Sequence, residues 1–119
     1  MSEVYKFCDK GQVLNDYKGD EDILAELIRD FVDDYPNLLD EISTSLKEIN
    51  YEDLERSAHT LKGMICYFHS PELENLAYSI ENSGNSKTTD GCEDNLVELK
   101  EKLEFLKGEL SNLLIELES

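Results

Sequence analysis

His59 lies in a segment whose residue types and spacing suit the handling of a phosphoryl group. Leu54, Ala58, Leu61, Ile65 and Phe68 step by four, three, four and three, which at about 100° per residue covers one narrow helix face. The imidazole of His59 then projects about 140° from the centre of that face, into solvent. Arg56 and Lys62, three residues before and after, flank it on the same projection. They are the only Lys or Arg between Tyr51 and Ser86. A neutral imidazole supplies a nitrogen nucleophile near physiological pH without the adjacent base that a serine needs. Two cations beside it meet the need of a phosphoryl group for positive charge near its oxygens. Gly63, one turn beyond on the exposed side, costs a helix interior about 1 kcal/mol relative to Ala. A bare backbone there would let a partner's loop approach closely. The same residues admit a blander reading, in which His59 is solvated surface, Arg56 pairs with Glu52 or Glu55, and Gly63 is merely tolerated.

The elements that would position this segment are helical throughout. Eighteen Leu and seven Ile against four Val favour helices over pleated strands. Residues 1–19 carry only a weak pattern, Val13, Leu14 and Tyr17 between two glycines, which predicts an arm or a short helix. From Asp20 the stripe Ile23, Leu24, Leu27, Ile28, Phe31, Val32 predicts a helix ending near Tyr35, because the residue before Pro36 is biased away from helix. Pro36 then suits the first turn of a second helix carrying Leu39, Ile42, Leu46 and Ile49. Asn50, with Asp53 three residues on, predicts the cap of a third helix over 51–68. Ser70 and Pro71 predict the start of a fourth, with Leu73, Leu76, Ala77 and Ile80 on its inner face and Gly84 as its stop. After a loop over 85–91, Leu96, Leu99, Leu103, Leu106, Leu110, Leu113 and Leu117 alternate steps of three and four over 93–118. A coiled-coil dimer could use that seam, but antiparallel packing within the chain satisfies every stripe at once.

At 119 residues the chain is the size of one domain. Its 28 acidic against 11 basic residues give a net charge of −17, which repels phosphate backbones and anionic headgroups, so neither nucleic acid nor a membrane is expected as partner. No apolar run reaches the length of a span, and the N-terminus lacks the apolar centre of a signal peptide. A cytoplasmic protein with a natural start at Met1 is the expectation. Cys8, Cys66 and Cys92 fit neither a disulfide framework nor a zinc site and read as reduced thiols. His69 lies about 15 Å along a helix from His59, too far to share a metal with it. With Cys66 it makes half a metal site at best. Tyr67 and Phe68 read as core and helix-end packing. No Gly-rich nucleotide loop is present.

The run Ala58-His59-Thr60-Leu61-Lys62-Gly63, followed by Leu73, Leu76, Ile80, Glu81 and Gly84, resembles the signature of histidine-containing phosphotransfer (HPt) domains. The resemblance implies an all-α fold, an antiparallel four-helix bundle with an additional N-terminal helix, here with the four-helix part over about residues 36–118. It implies that His59 accepts a phosphoryl group from the aspartyl phosphate of a response-regulator receiver domain, including one within a hybrid histidine kinase, and passes it to another receiver. Lys62 would assist through its charge, and Arg56 and Gly63 would serve docking and clearance. The chain would be a monomeric phosphocarrier with no cofactor and no kinase activity of its own, the metal ion belonging to the receiver. The alternative is an HPt-like acidic bundle that binds or inhibits a basic partner without using His59. One departure is His69, which stands where the family usually has Gly and leaves the geometry of that helix end open; bulky Met64, Ile65, Cys66 and Tyr67 also replace small residues.

Overall fold

A computed structural model describes residues 5–119, and among them every regular element is a helix. They are α1 (Lys10–Asp16), α2 (Glu21–Lys47), α3 (Tyr51–Cys66), α4 (Pro71–Asn85) and α5 (Cys92–Leu117). Short connections make α2 to α5 run antiparallel, and α5 returns against α2 to close a four-helix bundle. The core is the sum of the apolar stripes. Leu24, Ile28, Phe31, Tyr35, Leu39 and Ile42 come from α2, and all but the last leucine of the α5 seam are buried. Each fully buried Leu contributes about 1.5–3 kcal/mol.

The bundle begins earlier than the sequence predicts. The expected break at Pro36 is absent, and α2 is one helix of 27 residues with Pro36 inside it. Tyr35 is buried and its ring stacks on Phe31 at 5.2 Å, so ending the helix there would pull two aromatic rings out of the core. Pro36 itself faces solvent, where water can take up the carbonyl that the missing N–H leaves unpaired. Continuous burial of the stripe outweighs the local preference.

The N-terminal segment is both strap and helix. The backbone N–H groups of Lys6, Phe7 and Cys8 donate to the Glu109 carboxylate on α5 at 2.8–3.0 Å, and Asp9 N–H donates to the carbonyl of Phe68. Val13 of α1 is fully buried. His69 ends the α3 turn at φ 53°, the left-handed conformation that the usual glycine adopts freely. Its ring is anchored 2.6 Å from the carboxylate of Asp16 on α1, which holds the Asp16 carboxyl below the usual range. A residue tolerant of positive φ thus keeps the turn and ties α1 to the bundle.

Gly84 is not the stop of α4, which continues to Asn85. It is buried where α4 crosses α3, and a Cβ there would sit 2.7 Å from Glu55 N and 2.8 Å from Tyr51 O. These are backbone atoms and cannot turn aside. Gly84→Ala should therefore lower stability by about 1–3 kcal/mol through overpacking, although Ala is the better helix former. A urea midpoint equal to or above that of the parent would show that α3 and α4 can separate without cost.

Candidate functional site

The cap and the core face of α3 aim His59. The Asn50 side chain accepts from Asp53 N–H at 3.1 Å and donates to the Asp53 carboxylate at 2.8 Å. Leu54, Ala58, Leu61 and Ile65 are buried to within 1 %, which leaves the His59 side chain 67 % exposed on the opposite flank.

The close crossing at Gly84 then sets the register between helices. With Gly84 against Glu55, one turn back along α4 and one turn forward along α3 bring Glu81 opposite His59. Glu81 Oε2 lies 3.0 Å from His59 Nδ1, and its Oε1 lies 2.8 Å from Lys62 Nζ. One carboxylate therefore joins the imidazole to the ammonium. The Lys62 ammonium also stands 5.1 Å from the ring centroid of Tyr78.

The charges of this cluster reinforce one another. Burial alone would raise the Glu81 carboxyl, but the hydrogen bonds from Lys62 and His59 outweigh it and hold the group below the usual carboxylate range. Lys62 is raised, chiefly by its hydrogen bond to Glu81. Glu81 thus stays ionised near neutral pH and can only accept at Nδ1. In the neutral ring Nδ1 is therefore the donor, which leaves the lone pair on Nε2. No hydrogen bond engages Nε2 among the described residues.

The other sequence-predicted residues lie outside this cluster. Gly63 is exposed, and among the described residues a Cβ there would meet nothing within 4 Å. Arg56 borders the open depression that also holds His59, Glu52, Glu55 and Glu81, but its guanidinium is paired with Asp53, not with Glu52 or Glu55. It stands outside the His59–Glu81–Lys62 cluster. Tyr67, expected as packing, is half exposed, whereas Phe68 is fully buried. Cys66 is exposed and its thiol donates to Glu74 at 3.2 Å.

Glu81 and Tyr78 received no role from sequence. Helical periodicity tells which residues share a face of one helix, but the pairing of Glu81 with His59 depends on the register of two helices. Its signals in sequence are its place in the quoted signature and the small residue a turn after it.

Among the described residues no helix is long and apolar enough to cross a membrane. No curated protein sequence matches the chain significantly. Among solved structures, the crystal structure of histidine-containing phosphotransfer protein B (HptB) from Pseudomonas aeruginosa PAO1 superposes with a TM-score of 0.87 at 15 % identity, over 95 % of this chain and 98 % of that one. At that identity the likeness is one of fold. The family model for the Hpt domain matches residues 26–118, a span that holds His59, Lys62, Gly63, Glu81 and the whole of α3, α4 and α5. By this match, and with the bundle and the outward histidine in place, the chain belongs to the Hpt domain family.

Proposed function

We propose that the chain is a phosphorelay intermediate in which Nε2 of His59 takes a phosphoryl group from a receiver-domain aspartyl phosphate and hands it to another receiver aspartate. The observation that carries this reading is the hydrogen bond at Nδ1, which turns a free Nε2 lone pair outward. Membership of the Hpt family supports a phosphotransfer role in two-component signalling. In the forward step the Nε2 lone pair attacks phosphorus, the N–P bond forms as the aspartyl O–P bond breaks, and the bonding electrons return to the receiver carboxylate. The ring then bears positive charge, since Nδ1 keeps its proton, and the Glu81 carboxylate stabilises that charge. Lys62 lies one carboxylate away and supplies positive charge toward the phosphoryl oxygens. The reverse steps deliver the group onward, so the chain acts as carrier and not as kinase. The receiver would hold the metal ion and most of the transition-state stabilisation.

Incubation with a panel of phosphorylated receiver domains should leave phosphate on this chain as an acid-labile, alkali-stable adduct. An alkali-labile adduct, or none with any receiver, would overturn the reading. Within it, Glu81→Ala should slow transfer about tenfold, because the imidazole loses both its tautomer and its orientation. Glu81→Gln, whose amide oxygen still accepts from Nδ1–H, should fall between that variant and the parent. Single-turnover rates and thermal melts on all three preparations check this, and equal rates would remove Glu81 from the chemistry.

A further inference from the structure

Beyond Gly63, toward the C-terminal end of α3, an apolar groove of about 170 Å3 opens between α2 and α3. Leu27 and Phe31 of α2 and Met64 of α3 wall it, and the Tyr67 ring, 50 % exposed, forms its edge. Asp30 and Asp34 stand exposed on its rim. Neither carboxylate makes an ion pair or a side-chain hydrogen bond among the described residues, and the neighbouring Arg29 is taken by Glu118. Two unpaired like charges four residues apart disfavour the helix that carries them, and an exposed aromatic edge beside an apolar groove marks a surface for contact. A partner with an apolar knob and a nearby cation would relieve both.

Size and place narrow the occupant. The groove falls short of the volume of small-molecule sites, about 300 Å3 and above, and suits a single aliphatic side chain. Tyr67 lies eight residues past His59, about 12 Å along the helix, within the footprint of one interface of about 800 Å2 a side. A body that reaches His59 across the bare backbone of Gly63 therefore covers the groove as well. The net charge of −17 steers basic surfaces toward the whole face.

Resting on the reading of His59 as phosphoacceptor, we propose that Asp30 and Asp34 make this groove selective for receiver domains that present an aliphatic side chain flanked within one helical turn by Lys or Arg. The probes are receiver domains sorted by whether their docking helix carries such a pair, together with versions of the basic-flanked ones in which that Lys or Arg is changed to Glu. Dissociation constants are measured at low and at high ionic strength. Asp30→Asn with Asp34→Asn should weaken docking of basic-flanked receivers about tenfold at low salt, through slower association, and the difference should vanish at high salt. The urea midpoint should hold or rise. Asp30→Lys with Asp34→Lys should recover docking with the Glu versions of the receivers.

Equal affinity of parent and Asn variant at low salt overturns the proposal. So does docking that ignores the flanking charge, or no docking by any basic-flanked receiver. Self-association of the chain that Tyr67→Ser abolishes would assign the groove to a second copy and overturn it as well. The two readings fail separately. Charge-dependent docking without phosphate uptake removes the phosphoacceptor role alone, and uptake on His59 indifferent to Asp30 and Asp34 removes the groove proposal alone.

Discussion

His59→Gln is expected to abolish phosphate uptake from every receiver that labels the parent, with helicity and urea midpoint unchanged. The side chain is mostly in solvent and its one hydrogen bond among the described residues runs to Glu81, so the fold loses no buried contact, and an exposed pair of this kind contributes little. The amide of Gln carries no basic nitrogen, so it cannot attack phosphorus. His69→Gln provides the control. That ring is bound to Asp16 at the α3 turn, and its replacement should loosen α1 while leaving uptake at His59 intact. Label on the His59 variant at the parent rate would move the acceptor elsewhere.

Gly63→Gln is expected to lower transfer by about a hundredfold, because displacement of reacting atoms by about 1 Å can cost that much. A side chain one turn from His59 would hold the aspartyl phosphate away from Nε2. Stability should not fall. A Cβ at Gly63 meets nothing within 4 Å among the described residues, and Gln is the better helix former by up to about 1 kcal/mol. The contrast with Gly84 is instructive, since both glycines sit inside helices yet only Gly84 lies against another backbone. Urea midpoints and transfer rates on one Gly63→Gln preparation decide between readings. A less stable protein would place Gly63 in a helix contact, and a stable protein with full transfer would remove its docking role.

The helices and the outward aim of His59 are legible in sequence because both follow from periodicity within one segment. Leu54, Ala58, Leu61 and Ile65 define a buried face, and everything opposite must face water. Pro36 misleads because its local preference is real but smaller than the burial of Tyr35 and Phe31 on the same helix. Gly84 misleads for a related reason. A glycine near a helix end reads as a stop, while its role is to let α3 approach. That approach sets the register pairing Glu81 with His59, so the same misreading conceals that pairing, although Glu81 itself stands in the signature. Arg56 shows the limit of projection, which places it beside the imidazole but cannot foresee that Asp53, one turn earlier, holds its guanidinium. His69 fits its turn as a left-handed non-glycine residue, and its tie to Asp16 emerges only once α1 packs across the bundle end.

The most direct test of the central claim is a long-range proton–nitrogen correlation spectrum of the nitrogen-15-labelled chain after phosphorylation by a receiver. The hydrogen bond from Nδ1 to Glu81 predicts phosphorus on Nε2 of His59, with the proton retained on Nδ1. Phosphorus on Nδ1, or on His69, would contradict it.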